Sequence, residues 1–124
     1  MIIKTMTRHT TQTQSFHVDC NSDGTFCLCF RFNDVNKRFE IVTVEDLGRL
    51  LQVLVGCEEL NVVCKGELAL RHRVDPTPGY WFTIGPGSAG KCPQDCEFAF
   101  RLTPAEALVL TEVLRDRCSR MMGV

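Results

Sequence analysis

A chain of 124 residues is long enough for one domain with a sizeable core, spanning residues 1–124, and no segment of it approaches the ~18 apolar residues of a membrane helix. Its 14 Lys and Arg nearly cancel 15 Asp and Glu, and the formal charge of −1 excludes a global field that would draw it onto nucleic acid or an anionic membrane, so any such binding has to come from a local patch. The opening MIIKTMTRHTTQTQ lacks the apolar run of a signal peptide, so the expectation is a soluble, intracellular, cytoplasmic protein.

MIIKTM supplies a candidate first strand, and FHVDC, TFCLCFRF and RFEIV follow as short β segments. Alternation puts Phe16, Val18, Phe26, Leu28 and Phe30 on a core face and His17, Asp19, Cys27 and Cys29 on the opposite one. Thr43-Val-Glu-Asp46 then opens a helix with a capping hydroxyl and an acid at the third helical position. Leu47, Leu50, Leu51 and Leu54 line one of its faces until Gly56 stops it.

The second half reads the same way. LNVVC, ELALRHRV, YWFTI and CEFAFRL are its β segments. Thr103-Pro-Ala-Glu106 opens its helix with a capping Thr, Pro at the first helical position and Glu at the third, and Ala107, Leu110 and Leu114 share a face. Val18-Asp19, a polar turn, Gly24 and FCLCF match Val74-Asp75, a Pro-rich turn, Gly79 and YWFTI, and the capping residues Thr43 and Thr103 stand sixty residues apart. The expected fold class is therefore α+β: two ββββα pseudo-repeats, residues 1–57 and 58–124, with antiparallel sheets packed with two helices.

GPGSAGK, residues 85–91, has the spacing of a phosphate-cradling loop, but such a loop needs a buried parallel strand before it, a helix after it, and Ser or Thr after the Lys. Here Cys92 and Pro93 follow Lys91 and the chain runs into a strand, so the stretch reads as a Gly-rich connection between antiparallel strands, without nucleotide or any other cofactor. The eight cysteines are an even number, yet Cys20, Cys27, Cys29, Cys57, Cys64 and Cys118 fall in or beside apolar stretches, which predicts reduced, mostly buried thiols. Two secondary zinc candidates arise: His17 and Asp19 with Cys27 and Cys29 on one hairpin face, and the Cys92, Cys96 pair. The first would have to close a tetrahedron from strand positions about 6.5 to 7 Å apart, and the second lacks another pair of ligands, so no metal is expected.

Taking residues 75–79 as the turn of the second hairpin pairs Val74 with Tyr80, Arg73 with Trp81, His72 with Phe82 and Arg71 with Thr83. Arg71, Arg73, Trp81 and Thr83 then share a sheet face, with the single Trp between two guanidinium groups. That arrangement suits cation–π contact, or stacking of an unpaired base with its phosphate neutralised. The competing reading is a Trp buried under a helix or a subunit.

The ordering seen as FHVDCNSDGTFCLCF…RFEIVTVED and again as RHRVDPTPGYWFTI…FAFRLTPAE resembles the PUR repeat and the related Whirly fold across nearly the whole chain. That resemblance implies single-stranded DNA or RNA held on curved sheets by aromatic and basic hairpin residues. The matching positions are Arg71, Arg73 and Trp81, with Arg31, Lys37 and Arg38 in the first half. The balanced charge departs from that pattern. No nucleophile, base and orienter set stands out, and His17 and His72 read as packing or turn-adjacent residues, so the expectation is a non-enzymatic binding protein. Its partner is a single-stranded nucleic acid or, alternatively, a protein anchored on the same Trp and Arg patch, and a homodimer stays open.

Overall fold

The structure, a computed structural model, describes residues 2–8, 12–56, 60–62, 67–74, 78–92 and 95–123. Strands β1 (Ile2–Arg8), β2 (Gln12–Cys20), β3 (Phe26–Phe32) and β4 (Val35–Ile41) form one antiparallel sheet in that order, and helix α1 (Val44–Gly56) follows. Strands β5 (Leu60–Val62), β6 (Leu68–Arg73), β7 (Gly79–Ile84) and β8 (Phe98–Leu102) form a second antiparallel sheet, again in chain order, and helix α2 (Pro104–Met121) closes the chain. The fold is thus mixed α+β, with antiparallel sheets and two helices. No described helix is long and apolar enough to cross a membrane.

Both helices start where their capping chemistry dictates. The Asp46 amide donates to Thr43 Oγ1 at 3.2 Å, and the Leu47 amide donates to the Thr43 carbonyl. Thr103 closes a full capping box: the Glu106 amide donates to its Oγ1 at 3.2 Å, while its own amide donates to Glu106 Oε1 at 3.0 Å. Leu47, Leu50 and Leu54 are buried as the helical spacing requires, Leu51 is half-buried, and Val53 completes the face. On α2, Ala107, Leu110 and Leu114 are buried.

The inner faces of the two sheets meet in a shared aromatic core. Phe16 stacks on Phe30 at 4.8 Å and reaches Phe82 of the other sheet at 5.3 Å; Phe30 contacts Phe82 at 5.0 Å and Phe100 at 6.0 Å, and Phe32 lies 4.8 Å from Phe98. Burying several rings at once supplies most of the hydrophobic drive, and their tilted and edge-to-face geometries suit aromatic quadrupoles. Because the inner faces meet, the outer faces of the sheets lie on opposite sides of the molecule.

The halves also hold each other by hydrogen bonds to helix and turn. Arg117 of α2 donates from Nη1 to the Asn21 carbonyl in the β2–β3 turn at 2.6 Å, and Tyr80 of β7 donates its hydroxyl to the Leu54 carbonyl near the end of α1 at 3.3 Å. The second of these satisfies one of the carbonyls that a helix C-terminus leaves without an intrahelical donor.

The register of the second hairpin differs from expectation. Arg73 pairs with Gly79, His72 with Tyr80, Arg71 with Trp81 and Leu70 with Phe82, one pair earlier than a turn at 75–79 would give. Strand β7 already includes Gly79, so the connection runs from Val74 to Pro78. The offset moves partners by two residues, an even slip, so the assignment of side chains to faces survives.

Candidate nucleic-acid interface

On the outer face of the second sheet the strand pairing builds a row. Arg71 on β6 opposes Trp81 on β7, and Trp81 opposes Arg101 on β8. Cross-strand neighbours have Cβ atoms about 4.5 to 5.5 Å apart, so two guanidinium stems flank the indole directly while Arg73 stands one step along β6. Trp81 and all three arginines are half-buried, so the indole is neither sealed in the core nor fully solvated. No Asp or Glu occurs anywhere in β6, β7 or β8. A chain with almost no net charge therefore carries a cationic sheet face around one aromatic ring.

The arginines are held in place. Arg71 donates from Nη2 to the Ser88 carbonyl at 2.9 Å, and Arg101 donates from Nε to the Pro78 carbonyl at 3.0 Å, with its Nη2 on the same oxygen. Both acceptors are neutral carbonyls, and the bonds give each guanidinium a preset orientation. Arg101 was missing from the sequence-level set. Its signal lay in the alternation of FAFRL, whose Phe100 and Leu102 face inward and so turn Arg101 out.

The first-half candidates do not join this group. Arg31 and Arg38 lie on the outer face of the first sheet, on the other side of the molecule. There Arg31 donates to the Asn33 carbonyl at 2.9 Å, and Arg38 pairs with Asp19 at 3.3 Å across exposed surface. Lys37 sits on the inner side instead, opposite Phe30 in register, with its Nζ 5.3 Å from the Phe98 ring centroid. Its apolar stem covers the edge of the core and its charge rests on an aromatic face. His72 is likewise a packing residue, 4.6 Å from the Tyr80 ring.

His17, Asp19, Cys27 and Cys29 share the outer face of the first sheet, with His17 opposite Cys29 and Asp19 opposite Cys27. They form two rows along the strands, and among the described residues no group of three or more His, Cys, Asp or Glu could hold a metal ion. Cys96 lies with its Sγ 3.4 Å from the Cys92 carbonyl, so that pair is organised as a turn, not as a two-thiolate clamp. The six described cysteines are free thiols. Only Cys27 and Cys29 are buried, whereas Cys20 and Cys92 are exposed, which corrects the expectation of mostly buried thiols; Cys57 and Cys64 lie outside the described residues.

Burial, reinforced by the hydrogen bond and charge of Cys27, pushes the Cys29 thiol from 9.0 up to about 12. A thiolate is the nucleophile in alkylation, so Cys29 should stay unmodified by iodoacetamide at pH 8 in the folded protein while exposed Cys20 and Cys92 react, as read by peptide mass mapping. The sign of the linkage follows. The fold favours the neutral thiol, so its contribution is complete below pH 9 and is lost as pH rises towards 12. Rapid labelling of Cys29 at pH 8 without unfolding would refute this.

The Gly-rich loop lies between two antiparallel strands and turns through a single 3-10 turn, Ser88–Gly90, with no α-helix after it. It therefore lacks the helix N-terminus on which phosphate cradling depends. Instead it folds back over the outer face of β6 and β7. The Gly85 amide and Ser88 Oγ both donate to the Glu67 carbonyl, at 2.9 and 3.0 Å, and Ser88 is buried. No known protein family, curated protein or solved structure matches the chain.

Proposed function

We propose that this protein is a non-enzymatic binder of single-stranded nucleic acid, which it takes on the outer face of the β6–β8 sheet around Trp81. The carrying observation is the row Arg71, Trp81, Arg101 on strands that contain no carboxylate. A half-exposed indole offers a stacking surface for one base, and the flanking guanidiniums stand where the phosphates on either side of it would run. A cationic face of three arginines also answers the objection raised by net charge, since phosphate contacts depend on the local field.

The chain is further proposed to be a duplicated ββββα unit of the kind that the PUR and Whirly layouts use. In support, four strands and a helix occur twice in chain order, and the halves are tied by Arg117 of α2 to Asn21 in the β2–β3 turn and by Tyr80 of β7 to Leu54 of α1. Free thiols at Cys20 and Cys92 suit the reducing interior of a cell, where we place it.

The test is anisotropy of a labelled single-stranded oligonucleotide. Losing an aromatic stacking partner costs about 1 to 3 kcal/mol, so Trp81→Ala should weaken binding by roughly five- to two-hundred-fold with the fold retained. Arg73→Ala, which removes a guanidinium that forms no ion pair among the described residues, should flatten the salt dependence. Absence of oligonucleotide binding at low salt would refute the reading. If Trp81→Ala then also lost capture of a protein from lysate, the same patch would be a protein-interaction surface.

A further inference from the structure

Directly beside the Trp81 row, two residues along the strands, lies a second row on the same face: Ala69, Thr83 and Ala99. Its side chains are small, so the sheet steps down next to the projecting indole. Ala69 and Thr83 have no exposed surface, because the Gly85–Lys91 segment lies across β6 and β7. The Thr83 hydroxyl is buried there with no hydrogen-bond partner among the described residues. Buried hydroxyls are almost always paired, so an orphan on an outer sheet face requires a reason.

The covering segment is hydrogen-bonded to the residue before β6 and to Arg71. Side-chain and backbone ties to the sheet are Gly85 to Glu67, Ser88 to Glu67 and Arg71 to Ser88, and its glycines Gly85 and Gly87 take φ values of +133° and +69°. A cavity of about 350 Å³, bordered by Pro86, Ser88, Lys91 and Glu97 among others, lies against it, so protein does not enclose it on every side. Its hold on Arg71 is a bond to a neutral carbonyl, which a phosphate would replace with a charge-assisted one.

We infer that the Gly85–Lys91 strap covers a second nucleotide subsite, formed by Ala69, Thr83 and Ala99, which a single strand of nucleic acid opens when it also occupies Trp81. This rests on the proposed function. Successive same-face positions lie about 6.5 to 7 Å apart along a strand, so the second row places one further nucleotide beside the one on Trp81. A phosphate draws Arg71 from Ser88, the strap loses one of its ties, and the Thr83 hydroxyl gains a polar partner on the incoming base or sugar. The strap thereby favours strands of two or more nucleotides over a mononucleotide, which brings no second base or sugar to the Thr83 hydroxyl.

Hydrogen exchange of the wild-type full chain, with and without a saturating ten-residue oligothymidylate, tests this without any variant. The amides of Gly85, Ser88, Gly90 and Lys91 are bonded to Glu67, Gly85, Gly87 and Ser88 in the strap. They should exchange faster, by on the order of tenfold, when the oligonucleotide is bound. Thr83→Val keeps the shape and removes the hydroxyl, so it should weaken the ten-residue strand by about two- to tenfold and leave thymidine monophosphate binding unchanged. Trp81-dependent binding with strap amides unchanged or slowed would overturn the subsite while leaving the binding face intact. No oligonucleotide binding at all would overturn both. Equal weakening of monophosphate and ten-residue strand by Thr83→Val would assign the hydroxyl a structural role and refute the subsite.

Discussion

Phe30→Ala should lower the free energy of unfolding by about 3 to 5 kcal/mol. Phe30 is 2% exposed and its ring has five aromatic neighbours: Phe16 at 4.8 Å, Phe82 at 5.0 Å, Phe100 at 6.0 Å, Phe39 at 6.2 Å and Phe32 at 6.4 Å. Two of these belong to the second sheet, so the truncation opens a void at the junction of the halves, where neither sheet can collapse without moving the other. A domain of this size has only about 5 to 15 kcal/mol of stability in total, so the variant should approach the limit of folding. Urea titration measures it, with Leu108→Ala as the control, because Leu108 is 68% exposed and should cost little. A loss under about 1 kcal/mol would mean that the two sheets do not share this core.

That core was legible in the alternation of FHVDC and FCLCF, because a strand with one buried face writes its periodicity into the chain. The helices were legible for a different reason: Thr103-Pro-Ala-Glu106 and Thr43-Val-Glu-Asp46 carry capping chemistry that works locally and needs no tertiary partner. The register of the second hairpin was not legible. Asp75-Pro-Thr-Pro offers several turns of similar quality, and the choice was made by the pairing of Phe82 with Leu70 and Phe100 in the core. The placement of Lys37 was not legible, because a Lys on an amphipathic strand can snorkel, and only the position of Phe98, sixty-one residues later, shows which way. Trp81 with Arg71 and Arg73 could be found from alternation alone. Arg101 required knowing that β8 lies beside β7, and the strap required knowing that Ser88 returns to Glu67, a contact across twenty-one residues that no local pattern encodes.

Gly24→Ala should cost about 2 to 6 kcal/mol, a sum of about 1 to 3 for a non-glycine residue held at positive φ and about 1 to 3 for overpacking. Gly24 has φ +97°, and an added Cβ would stand 2.5 Å from the Met121 amide nitrogen and 2.9 Å from the Arg117 carbonyl oxygen. Those are backbone atoms of α2 and cannot rotate aside, so the helix or the turn has to shift. Either shift strains the bond from Arg117 Nη1 to the Asn21 carbonyl, and Arg117 is buried, with Asp116 as its ion-pair partner. Gly123→Ala separates the two contributions. Its φ is +76° but nothing stands within 4 Å of the added carbon, so it should show the backbone cost alone. The excess of Gly24→Ala over Gly123→Ala in a urea titration measures how firmly the β2–β3 turn of the first half is seated on the helix of the second. Equal losses would mean that the turn stands clear of α2 in solution, and that the halves are joined by their aromatic faces only.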